Sequence, residues 1–177
     1  MAINWTTIDT AIKTWLDATV PTVTWYRGDQ DIPRPSLPCG HWTWSNVGAT
    51  LPAQGSADDD DPVYEVAPSS TLRQLMQHRR HRLEIQVESS SVVGATHALA
   101  IAETVSDSVR LNSVQDALVA AGLSLRADGS ALDATALLGY AAESRAVVEF
   151  LATTATSQTE EVGRIETVTP LTGTVTT

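Results

Sequence analysis

The sequence has little of the residues that stabilise small proteins covalently or through metals. Its 177 residues include one cysteine, Cys39, which excludes an intrachain disulfide and a cysteine-based zinc site. We interpret Cys39 as a small, half-buried side chain rather than a nucleophile. No apolar run approaches the roughly 18 residues of a membrane span, and we expect no signal peptide at the N-terminus. A chain of this length can bury about 70% of its unfolded surface, so one ordinary domain needs no covalent support.

Lysine is almost absent, and the remaining positive charge is concentrated in one place. Lys13 is the one lysine, and the formal net charge is −10. Residues 71–82 carry four arginines and no acidic residue, whereas the segments on either side are acidic. A general nucleic-acid binder presents a broad basic surface, so this composition argues against that class. We interpret the arginines as a strand end that pairs with acidic groups of a neighbouring strand or subunit, with phosphate contact as the alternative.

Motifs that carry out chemistry are also missing. The sequence contains no glycine-rich phosphate loop, no G-x-S-x-G turn and no H-E-x-x-H helix. His78 and His81 lie three residues apart, which on a strand places them on opposite faces and makes them a poor metal pair. The four aspartates at 58–61 lack the alternating ligands of a calcium loop, so we interpret them as a solvated hairpin tip. The sequence therefore predicts no enzyme activity, no cofactor and no metal.

Apolar stripes at helical spacing mark the first two of three predicted helices, and capping signals mark the third. Asn4 is the expected N-cap of the first helix. Ser113 is the expected N-cap of the third, and Gly122 the glycine directly after its end. The predicted helices span residues 4–18, 94–110 and 113–121.

Alternation of apolar and polar residues marks the strands. It is clearest over 79–88, where one face is apolar and the other carries arginines and glutamates. Residues 141–156 have helix-favouring alanines but alternate around Phe150, so we interpret them as a long strand. Residues 131–139 are expected to form a turn or a short helix, and 49–62 a loop. The predicted strands span residues 22–27, 39–47, 63–66, 79–88, 123–126 and 141–156.

Several short segments follow one another in order along nearly the whole chain. They are Trp-Tyr-Arg-Gly-Asp-Gln at 25–30 before Pro-Arg-Pro at 33–35, residues 82–87, the helices over 94–121 that lead into 120–123, Glu-Ser-Arg-Ala at 143–146, and residues 161–168. In this order and spacing they resemble the tail-terminator, or neck, proteins of tailed bacteriophages.

The resemblance implies an α+β fold, in which an antiparallel sheet is flanked by two or three helices and six copies form a ring. It divides the chain into one domain over 1–159, with an acidic loop insertion at 49–62, and a C-terminal arm over 160–177. The implied function is structural: a hexameric ring caps the tail tube, joins it to the head connector and lets DNA pass. A head-closure or connector adaptor of the same neck stays open as an alternative, as does a small acidic binding module.

The resemblance also implies partners and a location. The partners are further copies of the chain, the phage tail tube protein and the connector or stopper protein of the head. Genomic DNA passes through the lumen without sequence-specific binding, and no membrane is involved. The chain is then a virion protein of the neck, at the head–tail junction, made in the bacterial host cytoplasm.

Charge and strand propensity give candidate positions for these contacts. An acidic wall repels DNA phosphates, whereas a basic wall would hold them. The predicted lumen or rim positions are Asp58, Asp59, Asp60, Asp61, Glu84 and Glu88. Arginine forks match carboxylates, and β-prone segments can add strands across subunits, with docking on the chain's own subunit as the alternative. The predicted subunit or tube interface positions are Arg79, Arg80, Arg82, Val162, Arg164, Ile165 and Glu166.

Overall fold

Three helices and seven strands make up the described part of the chain. The computed structural model describes residues 3–45, 63–66, 72–90, 96–135 and 143–161. The helices are α1 (Trp5–Thr19), α2 (Ala98–Ser108) and α3 (Asn112–Ala120). The strands are β1 (Thr24–Arg27), β2 (Cys39–Ser45), β3 (Val63–Val66), β4 (Leu72–Ser90), β5 (Leu123–Ala127), β6 (Leu132–Asp133) and β7 (Glu143–Glu161).

All of these strands belong to one mixed sheet. Its order is β1-β2-β4-β7-β5, with β3 paired to β4 and β6 paired to β7. β1 and β2 run parallel, and every other pairing is antiparallel. The α+β class is therefore confirmed, whereas the prediction of a purely antiparallel sheet is wrong. A parallel pair needs a crossover connection of about a dozen residues, and residues 28–38 provide one without a helix.

The longest feature of the sheet is a ribbon made by β4 and β7. These two 19-residue strands pair without interruption, from Leu72 opposite Glu161 to Ser90 opposite Glu143. At 3.3 Å per residue the ribbon is about 60 Å long. The predicted strands at 79–88 and 141–156 are confirmed, but both extend further at the Leu72 end. No clear alternation marks that extension in the sequence, which is why the prediction stopped short of it.

The helices cover one face of the sheet and form the core with it. α1 buries its apolar stripe, as its periodicity predicts, and α2 does the same. Trp15 of α1 meets Phe150 of β7 edge to face, with 5.7 Å between ring centroids. The main buried residues are Ile8, Ile12, Trp15 and Leu16 of α1, Ile101, Ala102 and Val105 of α2, Leu83, Ile85 and Val87 of β4, and Val148, Phe150 and Ala152 of β7.

The helix caps agree with the predictions at two of three positions. The side chain of Asn4 accepts a hydrogen bond from the Thr7 backbone N–H, and Gly122 has a positive φ of 83° after α3. The prediction of Ser113 as a cap is wrong. The carbonyl of Leu111 already accepts from two backbone N–H groups of α3, so the helix starts before Ser113, and Leu111 makes no side-chain cap bond.

Several predicted segments fall partly or wholly outside the described residues. Within 131–139, where the prediction is a turn or a short helix, Leu132 and Asp133 pair with β7 as a strand, and residues 136–139 lie outside the described residues. The predicted loop at 49–62 lies outside the described residues. Of the predicted arm over 160–177, residues 160 and 161 end β7, and the rest lies outside the described residues.

Replacing Phe150 with alanine should destabilise the fold strongly. Phe150 is fully buried and contacts Trp15, so Phe150→Ala removes a large apolar side chain and leaves a cavity. We expect a loss of about 3–5 kcal/mol in the free energy of unfolding, measured by urea denaturation. Leu132→Ala is the control, because Leu132 is 66% exposed and should change stability by less than about 0.5 kcal/mol. A loss below about 1 kcal/mol for Phe150→Ala would contradict this core.

Candidate interaction surface

The two faces of the sheet differ in what covers them. Successive side chains of a strand point to opposite faces, and the helices pack on the face that carries the buried residues of β4 and β7. We call the other side the open face, because no helix in the described part of the chain packs on it. Its partly exposed positions are Thr43 of β2, Arg82 and Glu84 of β4, and Val147, Glu149 and Leu151 of β7.

The predicted interface arginines occupy three different environments. The guanidinium of Arg82 lies on the open face, 3.3 Å from Glu149 and 3.6 Å from Asp128. For Arg82, the acidic partners are therefore Glu149 on the neighbouring strand β7 and Asp128 just after β5. Arg80 is partly buried, and Arg79 is exposed. Arg79 is therefore the member of the cluster whose charge faces solvent most fully.

The two predicted lumen glutamates of β4 also differ from each other. Glu84 is partly exposed on the open face, directly opposite Glu149 in the register. Like charges in such positions repel, and Arg82 beside Glu149 offsets part of that repulsion. Glu88 is 6% exposed, so the expectation that it belongs to a solvent-facing side of β4 is wrong. Arg34 of the 28–38 segment and Arg145 of β7 pair with its carboxylate there.

Glu88 is the centre of an ion-pair network. Its two carboxylate oxygens are each 2.5 Å from an arginine, one from Arg34 and the other from Arg145. Arg34 also donates to both oxygens of Glu143, at 3.2 and 2.8 Å. The hydrogen bonds to Glu143 and the charge of Glu88 raise the pKa of Arg34, and Arg34 in turn lowers the pKa of Glu143. The network fastens the 28–38 segment to β4 and β7.

Cys39 lies beside this network and is fully buried. Its sulfur is 3.9 Å from a Glu88 oxygen. Burial first, and the Glu88 charge second, raise the pKa of the Cys39 thiol. A thiol held in its protonated form is a poor nucleophile, which agrees with the interpretation of Cys39 as a structural side chain.

Asp9 of α1 is a second polar centre that the sequence patterns do not reveal. Its carboxylate accepts from the indole N–H groups of Trp42 and Trp44, both at 3.2 Å, and pairs with Arg27 at 2.7 Å. One carboxylate thus joins α1 to β1 and β2. The signal in the sequence is faint: a single acidic residue next to the apolar stripe of a helix, with tryptophans elsewhere in need of acceptors.

His81 belongs to the core rather than to a metal site. It is 1% exposed, and its Nε2 lies 3.1 Å from the Thr154 hydroxyl. The ring packs edge-on against Trp5, with 5.1 Å between centroids. Burial lowers the pKa of His81, and the nearby charge of Arg79 lowers it further. The side chain of His78 lies outside what the structure describes.

Two grooves flank α1. The first has a volume of about 490 Å³, lies between α1 and β1, and is lined by charged and polar side chains such as Lys13 and Asp17. The second, which we call the helical groove, has a volume of about 730 Å³ and lies between α1, α2 and α3. Trp15 lines it, and the indole N–H donates to the Ser108 hydroxyl at 2.9 Å. Small and apolar side chains form most of its wall, which suits contact with a protein surface.

A family model described as phage neck terminator protein matches residues 6–177, nearly the whole chain. The chain belongs to the phage neck terminator family. No curated protein matches it. Membership makes the chain a protein of the phage neck, and therefore of the virion, and the family is a structural one. In the described ranges, no helix is long and apolar enough to cross a membrane, and no three His, Cys, Asp or Glu residues are grouped to hold a metal.

The remaining predicted positions of this terminator are not covered by the structure. The four aspartates at 58–61 and the interface candidates Val162, Arg164, Ile165 and Glu166 lie outside the described residues. Of the predicted groups, the structure brings Arg82 and Glu84 to the same face of one strand and separates Glu88 from them by burial.

Glu88→Gln should destabilise the terminator more than Glu84→Gln. The first substitution removes the charge between Arg34 and Arg145, whereas Glu84 has no ion pair within the described residues. We expect a loss of about 2–3 kcal/mol for Glu88→Gln, below the usual cost of breaking a fully buried pair because both arginines are partly exposed. Glu84→Gln should stay within about 0.5 kcal/mol of the wild type. Urea denaturation measures both, and equal losses would show that the network does not hold the fold.

The stability of the terminator should fall on mild acidification. Burial lowers the pKa of His41 and His81 below the ordinary 6.5. The unfolded chain therefore binds protons that the folded chain does not, so the free energy of unfolding decreases as the pH drops below about 6.5. Above about pH 7.5 this effect should be absent.

Urea midpoints at about pH 7.5 and pH 5.5 measure this dependence. The lower of the two pH values lies above the range in which carboxylates protonate, so carboxylate titration does not enter the comparison. The double variant His41→Gln, His81→Gln should show a smaller change between the two pH values. A wild-type midpoint that rises on acidification, or a double variant that retains the whole change, would contradict the role of these histidines.

Proposed function

We propose that this neck terminator forms a hexameric ring that caps the tail tube, joins it to the head connector and lets the genome pass. The match to the family over residues 6–177 carries the proposal. The shape of the subunit supports it, because the helical layer and the open face offer two chemically different surfaces.

A terminator must stop a polymer that would otherwise keep growing. A tube built from identical stacked rings always ends in a ring that can accept another. The stop therefore requires a ring with one side that matches the tube and another that does not. Head-to-tail contacts that close by rotation produce such a ring, since every subunit then has the same orientation.

The negative charge of the chain suits a passage for DNA. The net charge of −10 disfavours binding of phosphates along the wall, so the genome can move without being held. Glu84 and Glu149 lie side by side on the open face and are candidates for such a wall. The aspartates at 58–61 are further candidates. We propose no lumen role for Glu88, because its charge is buried between two arginines.

Arg79 is the best candidate for a contact with a neighbouring subunit or with the tube. Its side chain is exposed, and an arginine fork can bind a carboxylate through two hydrogen bonds. Arg79→Glu should weaken binding to purified tail tubes by at least about tenfold, measured by co-sedimentation. Arg126→Glu is the matched control, because Arg126 is also exposed and lies on β5. Equal binding of both variants would remove Arg79 from the interface.

Deleting the gene from its parent phage tests the function itself. Loss of a terminator should give overlong tails without attached heads, visible by negative-stain electron microscopy. Expression of the wild-type chain in trans should restore normal tails. Tails of normal length beside DNA-filled or empty unattached heads would instead identify a head-closure adaptor. Normal virions after deletion would contradict both neck functions.

A further inference from the structure

The polar groove between α1 and β1 lies at one edge of the sheet, and we call it the edge groove. One wall is a row of exposed α1 residues at helical spacing: Thr6, Thr10, Lys13 and Asp17. The other wall is β1, which among the described strands pairs only with β2. An edge strand is a template for a further strand unless something blocks it. The edge groove is therefore a place where another segment of chain can add to the sheet.

The backbone of β1 offers hydrogen-bonding groups on its outer side. The N–H of Gly28, directly after β1, donates to the carbonyl of Trp42 in β2 at 2.9 Å. These groups alternate between the two sides of a strand, so those of Trp25 and Arg27 face away from β2. The Arg27 carbonyl accepts from Gln30. The Trp25 carbonyl and the N–H groups of Trp25 and Arg27 make no hydrogen bond to any described residue.

The helix wall of the edge groove can take an apolar contact. The hydroxyls of Thr10 and Thr14 donate to backbone carbonyls one turn earlier in α1, both at 2.8 Å. An apolar side chain placed against them therefore leaves neither hydroxyl without a partner. Trp25 and Trp42 also line the groove. The wall is thus less polar than its residue types indicate.

The charges that line the edge groove balance one another. Lys13 pairs with Asp17, and Arg27 pairs with Asp9, each at 2.7 Å. Asp29, outside the groove, shares Arg27 and adds one negative charge nearby. A segment with no net charge can therefore enter without repulsion, whereas a strongly acidic one cannot.

The sequence beyond β7 contains a segment with the chemistry of an added strand. Residues 162–168 include two valines, an isoleucine and a threonine, which favour strands, and no proline occurs before Pro170. Arg164 and Glu166 are the charged residues of the segment, so its net charge is zero. Residues 162–168 therefore suit both the unpaired edge and the balanced charges of the edge groove.

This segment cannot reach the edge groove of its own subunit. It follows Glu161, which ends the β4–β7 ribbon. The register places Val148 of β7 in line with Arg27 of β1, across β4 and β2. From Glu161 to Val148 the distance along the ribbon is about 43 Å at 3.3 Å per residue. The chain from Glu161 to residue 168 spans at most about 25 Å. Only the edge groove of another copy is then within reach.

We infer that the edge groove receives residues 162–168 of a second copy of the chain, which add to β1 as a further strand. The outward groups of Trp25 and Arg27 supply the backbone hydrogen bonds. Donor segment and groove are different parts of one chain, so the contact is head-to-tail and can close into a ring. Three hydrogen bonds make each contact weak, and ring closure makes several contacts act together. The inference rests on the proposed ring and identifies the two parts that meet in it.

The alternation of an added strand also gives its orientation. Gly163, Ile165 and Thr167 share one face, whereas Arg164 and Glu166 belong to the other. Ile165 is the large apolar side chain on the uncharged face. That face is the one that suits the threonines of α1, because the two charges then remain in water.

A pair of matched variants tests the edge groove. Thr10→Trp fills the groove, whereas Thr7→Trp places the same side chain at an exposed position of α1 that lines neither groove. Threonine and tryptophan have similar helix propensities, so both variants should keep the urea midpoint of the wild type. Thr10→Trp should weaken self-association by at least about tenfold, followed by native mass spectrometry and by ring formation on tail tubes. Thr7→Trp should associate as the wild type does, and equal association of the two variants would contradict the inference.

Hydrogen exchange tests whether the contact is an added strand. In the free subunit, the amides of Trp25 and Arg27 have no acceptor among the described residues. In the assembled ring, they should exchange at least about tenfold more slowly, measured residue by residue by mass spectrometry. Ile165→Asp, which places a charge against α1, should remove this protection under the same conditions. Equal exchange of the two amides in free subunits and in wild-type rings would overturn the inference.

Cross-linking tests which parts meet. One chain carries Thr10→Cys in the edge groove, the other carries Ile165→Cys, and the mixture is treated with a short bismaleimide on tail tubes. Buried Cys39 should not react. A cross-linked dimer that requires both substitutions supports the inference, and Leu132→Cys, 66% exposed on β6, should give none in place of Thr10→Cys. A dimer between Ile165→Cys and Ala117→Cys of the helical groove, without one to Thr10→Cys, would overturn the inference.

The failures of the inference and of the proposed function are distinguishable. Rings that form normally with Thr10→Trp and give no cross-link between Thr10→Cys and Ile165→Cys would overturn the strand addition while leaving the ring intact. A wild-type chain that forms no ring in solution or on tail tubes would overturn the proposed function, and the inference with it.

Discussion

The uninterrupted pairing of β4 with β7 is the constraint on which the rest of the structure depends. Every other strand except β1 attaches to one of these two, and β1 is attached through β2. A shift of one residue in this pairing would exchange the core face with the open face. The same register places Ile85 beside Val148 in the core and Glu88 beside Arg145 in the ion-pair network. Apolar packing and charge pairing therefore specify one alignment together.

Two carboxylates position the parts of the chain that do not pair with the β4–β7 ribbon. Asp9 joins α1 to β1 and β2 through Arg27 and two indoles, and Glu88 joins the 28–38 segment to the ribbon. The free-energy cost of removing such charged groups from water offsets much of the attraction within each network. The main effect of the two networks is therefore on geometry rather than on stability. Each network favours one placement of a helix or a loop, because any other would leave a partly buried charge without a partner.

Sequence periodicity predicts the helices and strands that bury one side in the core. It predicts little of the rest of the structure. The stripe of α1 and the alternation over 79–88 identify the core, because each pattern reports which side of its own element is covered. Glu88 continues the polar side of that alternation, yet it is buried. Its partners include Arg34, from a segment distant in sequence, and nothing in the residues around Glu88 encodes that contact. The parallel direction of β1 and β2 escaped prediction for the same reason, since it depends on the path of 28–38.

The edges of the sheet bear on how copies can meet. At β5, the amide of Gln115 donates to the carbonyl of Leu125 at 2.9 Å and occupies a group that an added strand would use. Along residues 73–76 of β4, β3 pairs on the side away from β7. Open strand edges favour unlimited edge-to-edge growth, and blocking them limits it. Contacts between copies that use side-chain surfaces of fixed orientation can close after a set number of subunits. The proposed ring needs this property, because its own assembly must also end.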